Sequence, residues 1–126
     1  MLKGVVNVHG EPVVPVKLVL NKRPVSFPAV IDMGFNGYLS VPRKTLVRGR
    51  WRAIGTEKFE IATGDLVEQE IFLGEIIFGT RKSTVIAVAS GARDVLVGTK
   101  LLKKTVLTLR RSPELTRLCS RELIHL

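Results

Sequence analysis

The sequence predicts an all-β domain, a barrel or a sandwich, on three observations. Apolar and polar residues alternate with a period of two over short stretches, most clearly in Val14–Leu20. Turn-forming clusters of Gly, Pro, Asn and Asp separate these stretches at regular intervals. Apolar residues make up 45% of the 126, mostly Val, Leu and Ile with only 6% aromatic, a composition suited to a packed β-rich core and contrary to disorder.

Met1–Asn7 alternates loosely and runs into Val8-His9-Gly10, a strand followed by a turn. In Val14–Leu20 the residues Val14, Val16, Leu18 and Leu20 share one face, and Pro15 restricts the start of this strand to an edge or an end position. Asn21-Lys22-Arg23-Pro24 is a polar turn, and Val25–Ile31 returns as a strand ending at Asp32. Tyr38–Val41 is a short strand closed by Pro42, and Arg43–Arg52 is a loop or a single helical turn. Glu57–Ile61 and Leu66–Leu73 flank Thr63-Gly64-Asp65, a glycine-containing hairpin signal. Glu75–Phe78 and Thr84–Ala89 are two more strands, joined through Gly79-Thr80-Arg81-Lys82. Asp94–Gly98 is apolar and β-rich, Thr99–Lys104 suits a short helix, and Thr105–Leu109 is a final strand. Ser112 then caps, and Pro113 opens, an amphipathic helix over 113–124, with Leu115, Leu118, Cys119, Glu122 and Leu126 near one face. Residues 1–110 are therefore expected to form the β domain and residues 111–126 a helical tail.

Composition excludes several classes. No stretch approaches about 18 uncharged apolar residues, so no membrane span is expected. Met1-Leu2-Lys3-Gly4 leads into a strand pattern rather than a signal peptide, which makes a cytoplasmic location the expectation. Cys119 is the only cysteine, so no intramolecular disulfide forms. Zinc-type His and Cys spacing and a phosphate-cradling Gly-x-x-x-x-Gly-Lys are both missing, and no metal or cofactor is expected. His9 and His125 lie near opposite termini, and Ser40 and Ser90 have no histidine motif beside them for nucleophilic catalysis.

The net charge is +9. Arg43, Lys44, Arg48, Arg50 and Arg52 form an acid-free run, and from Arg93 onward eight Lys or Arg face three acids. Such fields attract anionic partners. A solvated surface is the favoured interpretation, with nucleic acid as a less favoured partner: no recognition motif accompanies the charge, and Trp51 and Tyr38 make a poor stacking platform.

The most informative stretch is Val30-Ile31-Asp32-Met33-Gly34-Phe35-Asn36-Gly37-Tyr38-Leu39. A carboxylate follows an apolar strand and opens a turn in which Gly34 and Gly37 permit unusual backbone geometry, a setting where a perturbed carboxyl can be built. The same residues also suit ordinary turn chemistry. Together with Val95-Leu96-Val97-Gly98-Thr99-Lys100-Leu101-Leu102, this stretch resembles the two anchor motifs of retropepsin-like (clan AA) aspartic proteases, most of all the small prokaryotic members. The likeness runs from about residue 3 to residue 109.

The resemblance implies a closed β-barrel with a short helix after the Val-Gly segment; the helical tail departs from it, since such chains more often finish with a strand that joins an interchain sheet. It also implies an aspartic endopeptidase in which Asp32 is catalytic, Met33 and Gly34 complete the active-site turn, Thr63, Gly64 and Asp65 form a flap over the substrate, and Val97 and Gly98 support the turn. The chemistry needs two carboxyl groups that share a proton, because like charges a few ångströms apart do not both ionise. Asp65 and Asp94 lie in no second copy of the motif, so the partner carboxyl must come from a homodimer acting on polypeptide. Met33 stands where the family has Thr or Ser, whose hydroxyl crosslinks the two turns. A thioether cannot donate, so weakened activity, or an inactive dimer serving as a peptide-binding module, follows as the alternative.

Overall fold

Val14, Val16 and Leu18 are fully buried while Pro15 and Lys17 between them are exposed, so the two-residue period in the sequence is the in–out alternation of a strand. A computed structural model describes residues 2–61, 63–103 and 107–111. Along these residues run β1 (Leu2–Val6), β2 (Pro12–Leu20), β3 (Arg23–Ile31), β4 (Leu39–Pro42), α1 (Arg43–Arg48), β5 (Arg52–Glu60), β6 (Leu66–Phe78), β7 (Arg81–Ser90), β8 (Val95–Val97), α2 (Thr99–Leu102) and β9 (Leu107–Arg111). The expected tail helix over 113–124, with Cys119 and His125, lies outside the described residues.

The strands hydrogen-bond in the order β5-β6-β7-β4-β8-β3-β2-β1-β9. A further pairing of Lys17 with Ile77 and Leu18 with Ile76 joins β2 to β6 and closes a six-stranded barrel. Closure removes most of the free sheet edge. Barrel and sandwich are both compatible with the pattern of strands, and this pairing decides for the barrel. Its interior is filled by Val16, Leu18, Leu39, Val41, Ile76 and Val97, all fully buried, with Phe72 and Ile31 beside them.

Pro15 lies in the middle of β2, an interior strand, rather than at an end. On one edge β2 bonds β1 only at Pro12–Val13 and β6 only at Lys17–Leu18, so Pro15 sits in the gap between them. On the other edge it faces Pro28 of β3. Two residues without N–H groups tolerate being opposite each other only where the ladder asks neither to donate to the other.

A break at Gly74 was expected between the strands Leu66–Leu73 and Glu75–Phe78, but β6 runs unbroken for 13 residues. What Gly74 provides is room: a Cβ there would lie 2.1 Å from the Trp51 ring. Trp51 is held over it by its indole N–H, which donates to the Val19 carbonyl at 2.9 Å. The segment Arg43–Arg52 is a six-residue helix, a turn at Gly49–Arg50, and the start of β5, which begins five residues earlier than expected. Helix α1 has no acid and two bases in its first turn, the wrong sign for its dipole, and is held instead by the complete burial of Leu46. None of the helices among the described residues is long and apolar enough to cross a membrane.

Candidate active site

Strands β3 and β4 are consecutive in sequence yet not neighbours in the sheet, because β8 lies between them. β8 is parallel to β3, with Ile31 opposite Val97, and antiparallel to β4, with Leu39 opposite Val97. The seven residues from Asp32 to Tyr38 must therefore pass over the C-terminal end of β8. The sequence places an acid at the point where buried Ile31 leaves the barrel and the chain begins this crossing.

The crossing is clamped by backbone hydrogen bonds from the β8–α2 segment. Asp32 N–H donates to the Val97 carbonyl at 2.9 Å, Gly98 N–H to Tyr38 at 3.0 Å, Thr99 N–H to Phe35 at 2.9 Å and Lys100 N–H to Gly37 at 3.1 Å. The first amides of a helix have no partner within it, and here the carbonyls of the Asp32 turn accept them. Inside the turn, Phe35 N–H donates to the Asp32 carbonyl at 3.1 Å, and Gly34 N–H donates to Asp32 Oδ1 at 2.9 Å. One carboxylate oxygen is thus oriented by the turn itself, as in an Asx-turn.

Both glycines of the turn have negative φ, contrary to the expectation that they are there for backbone freedom. Their role is space. A Cβ on Gly34 would lie 3.3 Å from Asp32 Oδ1, and one on Gly37 would lie 2.4 Å from the Phe35 ring. Gly98, buried under the crossing, is the tightest of the three: a Cβ there would sit 2.2 Å from the Gly37 carbonyl oxygen.

Asp32, Met33, Gly34, Val97 and Gly98 are therefore one cluster, with Asp32 half-buried and Met33 69% exposed beside it. Thr63, Gly64 and Asp65 form the tip of the β5–β6 hairpin and bond locally: Ile61 N–H donates to Asp65 at 3.0 Å, Gly64 N–H to Ile61 at 2.9 Å, and the Thr63 hydroxyl to Asp65 Oδ2 at 3.1 Å. What joins this hairpin to the Asp32 turn lies just below the tip, where the Phe59 ring of β5, opposite Val67, meets Phe35 with centroids 6.3 Å apart. Gly64 has φ +87°, where an L-residue is strained, so Gly64→Ala should loosen the tip by about 1 kcal/mol. Amide exchange at Ile61 is then expected to quicken roughly fivefold, with the barrel amides unchanged.

Two contributors escaped the sequence reading. The Thr99 hydroxyl lies 3.2 Å from Asn36 Oδ1 and 3.4 Å from the Phe35 carbonyl, and Lys100 places its ammonium 5.8 Å from the centroid of the Tyr38 ring. Both follow Gly98 in sequence, and only the folding of α2 against the turn gives them a role. Among the described residues, no three His, Cys, Asp or Glu side chains converge as a metal site.

Six closed strands, a strand pair separated by a third, and an acidic turn crossing its end define the retropepsin-type barrel. Solved structures of that type are similar to this chain. They include the solution structure of simian foamy virus (mac) protease, at 19% identity and TM-score 0.51 over 71% of this chain and 91% of that one. EIAV protease complexed with the inhibitor HBY-793 is similar at 15% identity and TM-score 0.58, over 77% of this chain and 89% of its own. No family model matches the chain, and no curated protein matches it significantly by sequence. At such identities the likeness is one of fold, and function must be argued from the site.

Proposed function

We propose that this chain is one protomer of a homodimeric aspartic endopeptidase in which Asp32 of each copy flanks a shared hydrolytic centre. The observation that carries this is the Asp32 turn: a lone carboxylate at the mouth of a retropepsin-type barrel, oriented by Gly34 N–H and fixed to β8 through Val97. One carboxylate takes a proton from water as the water attacks the peptide carbonyl. The other, protonated, donates to the carbonyl oxygen, and collapse of the tetrahedral diol breaks the C–N bond as the amine is protonated. Met33, large, apolar and exposed beside Asp32, is placed to be covered by a second copy. Val97 and Gly98 support the turn, and Thr63, Gly64 and Asp65 cover an extended polypeptide bound as a strand. The barrel domain of residues 1–110 carries all of these groups, in a cytoplasmic setting.

Met33 also favours a second reading, an inactive dimer of the same fold that binds peptide without cleaving it. One experiment separates them. Cleavage of an unfolded polypeptide is expected to track the dimer fraction measured by sedimentation, and Met33→Thr to raise kcat/KM about tenfold by restoring a hydrogen-bonded crosslink between the turns. Absence of cleavage from both forms, with peptide binding retained, selects the module. A chain that remains monomeric with peptide present removes both.

A further inference from the structure

At the end of the barrel away from Asp32 lies a cavity of about 720 Å³ built by four segments distant in sequence. The β2–β3 turn supplies Lys22, the α1–β5 connection with the first residue of β5 supplies Arg50, Trp51 and Arg52, β6 supplies Glu75, and β7 supplies Lys82. Strand β3 separates this place from the Asp32 turn, since Lys22 precedes its first residue and Asp32 follows its last; nine residues of strand span roughly 25 Å. Nothing in the proposed hydrolysis uses it.

Four bases and one acid line the cavity. Lys82 pairs with Glu75 at 3.3 Å, but Lys22, Arg50 and Arg52 have no acidic partner within 4.0 Å among the described residues. The backbone brings the turn that carries Lys22 beside the connection that carries Arg50. Asn21 N–H donates to the Gly49 carbonyl and Asn21 Nδ2 to the Arg48 carbonyl, both at 2.9 Å. Asn21, Lys22 and Arg50 all adopt left-handed backbone, with φ of 51°, 67° and 62°. Positive φ at Asn21 and Lys22 belongs to the two-residue hairpin turn between β2 and β3, and that of Arg50 to the chain reversal after α1, so these turns set where Lys22 and Arg50 leave the backbone. Beneath them the wall includes Val19, Leu73 and Gly74, apolar surface on which an organic ligand can rest.

We propose that this cavity is a binding site for a compact phosphate-bearing small molecule, gripped by Lys22, Arg50 and Arg52. The net charge of its lining matches a di- or triphosphate, whereas a single carboxylate leaves cations unneutralised. Arginine forks bind phosphate oxygens two at a time. An extended nucleic-acid track fits less well. Trp51 is 7% exposed with its indole N–H bonded to Val19, so it offers no face for stacking, and Arg43, next along the basic run, is paired with Glu70 at 2.8 Å.

Trp51 is the only tryptophan in the chain and lines the cavity, so its fluorescence is a probe beside this site. Titration of the full chain with tripolyphosphate at about 0.15 M salt is expected to give a saturable change in that fluorescence. Lys22→Gly and Arg50→Gly are each expected to weaken binding about tenfold. Glycine suits both left-handed positions, so these variants should melt no lower than the parent chain. Arg93→Gly, on the exposed turn before β8, should bind as the parent does. The proposal is overturned by the absence of saturation, by an equal loss in Arg93→Gly, or by single-stranded oligonucleotides that outcompete tripolyphosphate with an affinity growing steadily with their length.

Discussion

Asp32→Asn is expected to lower peptide-bond hydrolysis by about 10²- to 10⁴-fold while leaving the barrel folded, the magnitude that a positioned acid–base group contributes. The substitution is well suited to this site. An Asn side chain keeps the oxygen that accepts the Gly34 N–H, so the turn keeps its internal bond, and the backbone clamp from Val97, Gly98, Thr99 and Lys100 is untouched. What disappears is the ability to take or give a proton. The measurement is cleavage of an unfolded polypeptide, with the dimer fraction and thermal melt recorded on the same sample. An unchanged rate in a folded Asp32→Asn dimer would move the chemistry elsewhere and withdraw the catalytic assignment.

Gly98→Ala is expected to destabilise the chain by about 3 kcal/mol, at the upper end of what overpacking usually costs. The backbone at Gly98 is extended, with φ −93° and ψ 175°, so no penalty comes from conformation. The penalty is steric: the new methyl would meet the Gly37 carbonyl oxygen at 2.2 Å and the Phe35 ring at 2.7 Å. A carbonyl cannot swing aside as a flexible side chain can. Relief requires lifting the Asp32 crossing away from β8, which breaks the Gly98–Tyr38 and Lys100–Gly37 bonds, each worth about 1 kcal/mol. Urea unfolding should show a lower midpoint at unchanged slope. Gly91→Ala, where a Cβ meets nothing within 4 Å, is the matched control and should be near neutral. Equal stability of the two variants would show that the crossing is looser than these distances imply.

Much of this architecture was legible because its signals are local. The alternation in Val14–Leu20, the turn at Gly64 with its positive φ, and the apolar runs before Asp32 and Gly98 each declare themselves within a few residues. The failures occurred where a residue's reason lies across the fold. Gly74 reads as a strand breaker until Trp51, 23 positions earlier, is seen to need its space. The first half of β5 shows no alternation because nearly all of that strand is exposed, and periodicity marks only a strand with one buried face. Gly34 and Gly37 were assigned flexibility when their neighbours required smallness, since a sequence does not distinguish the two uses of glycine. The cation-lined cavity was invisible for the same reason: the basic run gave Arg50 and Arg52, but Lys22, Glu75 and Lys82 join them only after the barrel closes.

The last described strand pairs with the first. β9 lies parallel to β1, Leu2 opposite Leu107 through Val6 opposite Arg111. On a translating ribosome the outer edge of β1 must therefore wait until every residue between Val6 and Leu107 has been made before its neighbour emerges. Throughout that interval a short, apolar strand has open amides and carbonyls, and the vacancy lasts seconds at ordinary elongation rates. A nascent chain built this way gains from a holdase on β1, or from another polypeptide that occupies the place of β9 and is later displaced by it.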